Sequence, residues 1–221
     1  MKLFKSIGLV LGLALFATAF LAVGSASAVT TKLCRANEAK CSKANTWSVG
    51  TESLVGAIGP ASEEAKLVMP GLLTVSCTSG KLGASLKETA GALVGELVKW
   101  NQSSCIPTAD SCTLRPPKEF ETGYSAEVEA TGEGNGVLTV GLNPSLTVIC
   151  VGALKILCNY TTPTMKFAIK GGSGGGGKNP QISSEAPMTR AGKNSESCPS
   201  TATYVSLYQV TVPGSPMFVT N

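Results

Sequence analysis

The chain has 221 residues, with 18 Lys and Arg against 14 Asp and Glu, no histidine and only 14% charged residues. The basic residues are dispersed among Ser, Thr and Gly, so no clustered face for a nucleic acid is implied. Histidine, the commonest metal ligand and general base, is missing, and Asp110 is the only aspartate, which closes off Asp-based triads and calcium loops.

Lys2 and Lys5 precede an apolar run from Ile7 to Val23, and Gly24-Ser25-Ala26-Ser27-Ala28 follows. A positive start, an apolar run and an Ala-x-Ala site are the marks of a secretory signal peptide, so cleavage is expected after Ala28, with the signal helix discarded. The run is barely long enough to span a bilayer, and Ala26 and Ala28 favour cleavage over a retained anchor. Leu33 stands before Cys34, where a lipid-modified protein needs a small residue. Val29 to Asn221 is then expected to form one domain of 221 − 28 = 193 residues, carrying 18 − 2 = 16 basic against 14 acidic side chains. Such a protein is secreted or held at the extracytoplasmic cell surface, with no membrane contact after cleavage.

All eight cysteines lie beyond the signal: Cys34, Cys41, Cys77, Cys105, Cys112, Cys150, Cys158 and Cys198. An even number in an exported chain reads as a disulfide framework, because disulfides persist outside the cytoplasm. Local bridges are the simplest expectation, joining Cys34 to Cys41, Cys105 to Cys112 and Cys150 to Cys158, with Cys77 and Cys198 left to close a long loop. Eight cysteines allow about a hundred pairings, and spacing alone does not choose among them. Zinc is disfavoured, since its sites use shorter Cys spacings, often with His. No metal or cofactor is expected.

Taken in order, Val29 to Gly50 reads as a polar loop stapled by Cys34 and Cys41. Glu63-Glu64-Ala65-Lys66 reads as a helical turn, and Pro70-Gly71 as turn chemistry. Leu73, Val75 and Cys77 alternate with polar residues, which marks a half-buried strand. Gly91 to Trp100 is read as a strand and Cys105 to Cys112, which encloses Pro107, as a loop. Ser125 to Thr131 and Val137 to Leu142 form the clearest hairpin, around a glycine-rich turn. Leu146-Thr147-Val148-Ile149-Cys150 copies Leu73-Thr74-Val75-Ser76-Cys77 at four of five positions, which suggests equivalent strands in two halves of a sandwich.

Further strands are expected at Met165 to Lys170, Gln181 to Arg190 and Thr201 to Val212, with the glycine-rich 171–180 between them as a mobile surface loop. Met217-Phe218-Val219 is expected to pair or pack, because its apolar residues would otherwise be exposed. Many short strands with Gly and Pro punctuation indicate an all-β antiparallel sandwich or barrel with disulfide-stapled loops.

Few residues point to catalysis. Gly171-Gly172-Ser173-Gly174-Gly175 satisfies G-x-S-x-G by letter, but no histidine exists to take the serine proton. Gly172 to Lys178 starts a P-loop pattern, yet Asn179-Pro180 follows where a hydroxyl and a helix are needed. The carboxylate clusters are Glu63-Glu64, Glu119 with Glu121, and Glu127 with Glu129, the last pair on the solvated face of a strand. Tyr204 and Tyr208 share a strand face with Ala202 and Val210, which fits burial better than a sugar platform. Asn101-Gln102-Ser103 and Asn159-Tyr160-Thr161 match the short glycosylation triplet.

Leu33-Cys34-x-x-Asn37-Glu38 with Cys41, Gly134-Asn135-Gly136-x-Leu138-Thr139-Val140, and Cys198-Pro199 ahead of Ala202-Thr203-Tyr204 together resemble a family of small secreted, cysteine-containing proteins. That family is found in soil-dwelling high-GC Gram-positive bacteria. The resemblance implies export and an all-β fold, and it assigns no catalytic or binding residue. The expected role is therefore a non-enzymatic binding or structural one, with a cell-wall or surface component as partner. The competing expectation is a wall-polymer hydrolase using a Glu pair or a Ser-Lys pair. If all eight cysteines are bridged, the intact mass of the secreted protein rises by eight hydrogens on reduction, as mass spectrometry would show.

Overall fold

The computed structural model describes residues 30–50, 53–58, 64–107, 112–115, 123–151, 155–174, 179–212 and 216–221. Met1 to Ala28, where a signal segment is expected, lies outside them. The described residues contain no helix and form fourteen strands. These are β1 (Lys32–Cys34), β2 (Leu54–Ala57), β3 (Ala65–Met69), β4 (Leu73–Thr89), β5 (Ala92–Pro107), β6 (Cys112–Arg115) and β7 (Tyr124–Gly132). They continue as β8 (Asn135–Val140), β9 (Ser145–Cys150), β10 (Ile156–Thr161), β11 (Met165–Lys170), β12 (Gln181–Arg190), β13 (Thr201–Val212) and β14 (Phe218–Thr220).

Strands β3, β4, β5, β7, β8, β11, β12 and β13 pair antiparallel in chain order, and β13 returns to β3. The fold is thus an eight-stranded antiparallel barrel, the second of the two all-β architectures expected. Closure gives every stave two neighbours, which removes the unpaired edges an open sheet would expose.

The barrel has two tiers that share long strands. β4 spans 17 residues, β5 16, β12 10 and β13 12. In the lower tier, β7, β8 and β11 fill the wall between β5 and β12, and β2 lies between β13 and β4. Higher up, β10 pairs with β12 at Tyr160 and Arg190, β9 pairs with β10, and β6 pairs with β9 while lying against β5. β3 continues the line of β2, facing Leu73 to Cys77 where β2 faces Lys81 to Ala84. The wall therefore changes strands at a waist, level with Thr78 to Gly80 of β4 and Leu207 and Tyr208 of β13.

Alternation sorts the side chains. Leu67, Val75, Val128, Leu138, Phe167 and Tyr204 point inward and are buried. Glu127, Glu129, Lys166, Lys170 and Glu185 point outward and are exposed. A lipid-facing barrel needs the reverse, an apolar outer band around a polar interior. Turn chemistry closes the ends. Leu72 N–H donates to Met69 O at 3.1 Å across Pro70 and Gly71, whose φ of +73° only glycine adopts easily.

Three local expectations change. Ala65 and Lys66, expected in a helical turn, open strand β3, because Ala65, Leu67 and Met69 all reach the core between β13 and β4. The N-terminal loop begins as β1, paired with β14, and β5 runs through Cys105 to Pro107 rather than ending in a loop. The two Leu-Thr-Val-x-Cys copies share a burial pattern, but they lie in one closed wall; Cys150 ends β9, whereas Cys77 sits inside β4. Of the glycine-rich loop, Gly172 forms a bridge with Met217, and 175–178 lie outside the described residues.

All eight cysteines are bridged, as Cys34–Cys41, Cys77–Cys105, Cys112–Cys150 and Cys158–Cys198. Only the first of the local bridges expected from spacing is present. Cys77 faces Cys105 directly across β4 and β5, and Cys112 faces Cys150 across β6 and β9, so strand register outranks closeness in sequence. Two of the four bridges therefore join paired strands, and the other two staple the loop residues Cys41 and Cys198 to β1 and β10. On the chain-entropy model, loops of 28 to 40 residues are each worth about 3.5 to 4 kcal/mol. Replacing Cys77 and Cys105 together by alanine should lower unfolding free energy by about 3.5 kcal/mol, against about 2.3 kcal/mol for Cys34 and Cys41, as read from denaturant melts.

Candidate functional site

At the lower end of the barrel, β1 and β14 form a two-stranded lid across the β7–β8 turn. Val219 N–H donates to Gly134 O at 2.8 Å, Thr31 N–H to Gly91 O at 2.8 Å, and Gly171 N–H to the Asn135 side chain at 3.1 Å. Gly134 is required twice over. Its φ is +77°, and a Cβ there would stand 2.6 Å from the Phe218 ring and 2.8 Å from Asn37 Oδ1.

Between lid and turn lies a cleft of about 260 Å³, lined by Asn37, Glu38, Glu133, Gly134, Thr220 and Asn221 among others. Glu38 accepts hydrogen bonds from Ser42 N–H at 3.1 Å and Asn45 Nδ2 at 2.6 Å. These donors, the Ser42 backbone first, hold its carboxyl below the usual carboxylate range. Like any ordinary glutamate, Glu38 is ionised at neutral pH, and it acts as an acceptor for these two donors. The Arg35 guanidinium lies 4.3 Å from the centre of the Trp47 ring, and Trp47 Nε1 donates to Pro216 O at 3.2 Å, which ties the segment after β1 to the one before β14.

A second polar group sits inside the barrel at its waist. Tyr204 and Tyr208 share a hydrogen bond of 2.7 Å between their hydroxyls. Gln102 Nε2 donates to Tyr204 Oη at 2.9 Å and to Tyr208 Oη at 3.4 Å, and Trp100 Nε1 donates to Tyr204 Oη at 3.3 Å. The Trp100 and Tyr204 rings meet edge to face at 5.7 Å. Burial drives the pKa of both phenols up, and that of Tyr208 well above its ordinary value, because an ionised phenolate would be stranded in an apolar interior.

The other sequence candidates are scattered. Glu127 and Glu129 lie exposed on the outer wall of β7, away from any facing carboxylate of that strand pair: Glu127 stands opposite Thr139 and Glu129 opposite Val137. Glu64 forms an ion pair with Lys66, while Glu63, Glu119 and Glu121 lie outside the described residues. Ser173 is described, but its motif partner Gly175 is not. Asn159 is committed, accepting from Thr147 Oγ1 at 2.7 Å and donating to Lys193 O at 2.6 Å, whereas Asn101 is exposed with its Oδ1 on Lys81 N–H. Among the described residues, no three His, Cys, Asp or Glu side chains gather as a metal site would require.

Gln102 was hidden by a break in alternation. Leu93 and Leu97 face inward at odd positions, but the register shifts opposite Gly83 and Ala84, after which Trp100 and Gln102 face inward at even ones. The cleft had no local signal either, since it joins residues some 180 positions apart, such as Cys34 and Thr220, whose side chains meet at 2.9 Å.

No protein-family model, no curated protein and no solved structure matches the chain. The residues that carry the resemblance have structural work in this fold. Asn37 and Gly134 meet under the lid, Cys34–Cys41 ties its first strand, and Pro199 O accepts from Tyr160 Oη at 3.1 Å beside the Cys158–Cys198 bridge.

The raised phenol pKa values link stability to pH. The unfolded chain releases these protons near pH 10 and the folded chain later, so the stabilisation is complete below about pH 10 and is lost as pH rises above it. Tyrosinate absorbance should show Tyr204 and Tyr208 ionising only as the barrel unfolds, and Tyr208→Phe should flatten the fall of stability between about pH 10 and 12.

Proposed function

We propose that this is an extracytoplasmic, non-enzymatic barrel protein that binds a hydroxyl-rich component of the cell wall or cell surface through the lid cleft. Two features favour export. Four disulfides need an oxidising compartment to persist, and the outer wall carries charged side chains such as Glu127, Lys166 and Glu185. The same reading groups the chain with the small secreted cysteine-containing proteins of high-GC Gram-positive soil bacteria.

The observation that carries the binding role is the state of Glu38. Its carboxylate is pinned as an acceptor by Ser42 and Asn45, in a cleft that also offers the Asn37 amide and the Glu133 carboxylate. Fixed acceptors and donors of this kind suit hydroxyl recognition, where each well-placed bond adds about 0.5 to 1.5 kcal/mol. Hydrolysis would need a protonated acid facing a second carboxylate at about 5 to 9.5 Å. The Glu127 and Glu129 pair does not supply that acid, because both side chains open to solvent on one strand.

Purified protein should be retained by native cell walls or by members of a glycan panel, and Asn37→Ala with Glu133→Ala should weaken retention by about tenfold, or about 1.4 kcal/mol. Retention on neither material would count against a wall or sugar partner. Release of soluble wall fragments during the incubation would instead favour the hydrolase.

A further inference from the structure

The waist network has a donor and acceptor imbalance that its own residues do not resolve. Tyr204 Oη receives hydrogen bonds from Trp100 and Gln102, and the two phenols share one proton between them. A hydroxyl has one proton to donate and two lone pairs. Whichever tyrosine donates to the other, the second phenol proton is taken up by none of the hydrogen bonds these four side chains make. Two acceptors stand unused close by. Gln102 Oε1 and Ser206 Oγ are buried without a hydrogen-bond partner, on residues 7% and 2% exposed. Ser206 lies between Tyr204 and Tyr208 on the inner face of β13, and all three are buried.

Reversing the Gln102 amide does not remove the mismatch. The oxygen would then take the tyrosine protons, and the amide nitrogen would be left with two unmatched donors in the same place. Either orientation calls for a molecule that donates and accepts together. The partners are all neutral, and no charged side chain takes part in the network, so an ion would be buried without compensation.

The position in the fold supports a built site. The network lies where β2 gives way to β3, so residues around Gly80 and Tyr208 face a change of stave rather than a continuous one. A Cβ at Gly56 would stand 2.8 Å from Tyr208 Cβ, so the glycine lets β2 close on that tyrosine from below.

We propose that the barrel waist is a binding site for one neutral, water-sized molecule, an internal water that donates to Gln102 Oε1 and bonds Ser206 Oγ. It completes the Trp100, Gln102, Tyr204 and Tyr208 network and is an integral part of the folded barrel. This site is independent of the lid cleft and of any partner bound there.

A crystal structure of the full secreted protein tests the site directly. Density at about 2.7 to 3.2 Å from both Gln102 Oε1 and Ser206 Oγ is the expected result. Density absent there, or the two atoms bonded to protein groups instead, would overturn it. In solution, water should give nuclear Overhauser effects of the bound, slowly tumbling sign to the Trp100 indole N–H. Ser206→Ala, a change small enough to keep the fold, should abolish them while leaving the backbone spectrum of β7 and β8 in place. Effects that persist unchanged in Ser206→Ala, or that are missing from the parent protein, refute the proposal.

Discussion

The structure depends on four long strands that are hydrogen-bonded along two successive walls. β4, β5, β12 and β13 are each long enough to serve both tiers, and the shorter strands of the wall fill between them, while β1 and β14 stand apart as the lid. Because side chains alternate, a one-residue slip in any long strand would turn its whole inward row to solvent. The bulge opposite Gly83 and Ala84 shows how tightly this is held: it exchanges odd for even inward positions in β5 and so brings Trp100 and Gln102 inside together.

The disulfides follow the same constraint. Cys77–Cys105 ties the two longest strands of the upper wall, Cys112–Cys150 ties β6 to β9, and Cys158–Cys198 ties β10 to the segment that enters β13. The upper wall is made of short inserted strands, so it gains most from covalent closure. The lower tier is sealed differently, by backbone bonds from β14 and Thr31 and by glycines that let the lid approach the β7–β8 turn. Both devices leave the outer wall free to carry charge.

The interior is not uniformly apolar, and its polar members are placed where the wall changes strands. Tyrosines bring large apolar surface with a hydroxyl at the tip, and at the waist those tips meet one another and the Gln102 amide. A buried network of this kind favours one register over its neighbours, since a shift would separate donors from acceptors in a medium where unpaired polar groups are costly. The lid cleft has a different character: Asn37 and Glu133 are exposed there, and Glu38 is held by local bonds from Ser42 and Asn45.

An all-β class and most strand positions follow from the amino-acid sequence alone, because each rests on a local signal. The alternation in Ser125 to Thr131 and Thr201 to Val212 and the turn chemistry of Pro70-Gly71 are all readable within a dozen residues. Tertiary structure decided the rest. Ala65 and Lys66 became strand because β4 and β13 offered partners on both sides, and Cys105 met Cys77 rather than Cys112 because register set them face to face. The lid cleft and the waist network join residues about a hundred or more positions apart, such as Gln102 with Tyr204 and Asn37 with Gly134. No local pattern encodes such meetings, since they exist only once the barrel has closed.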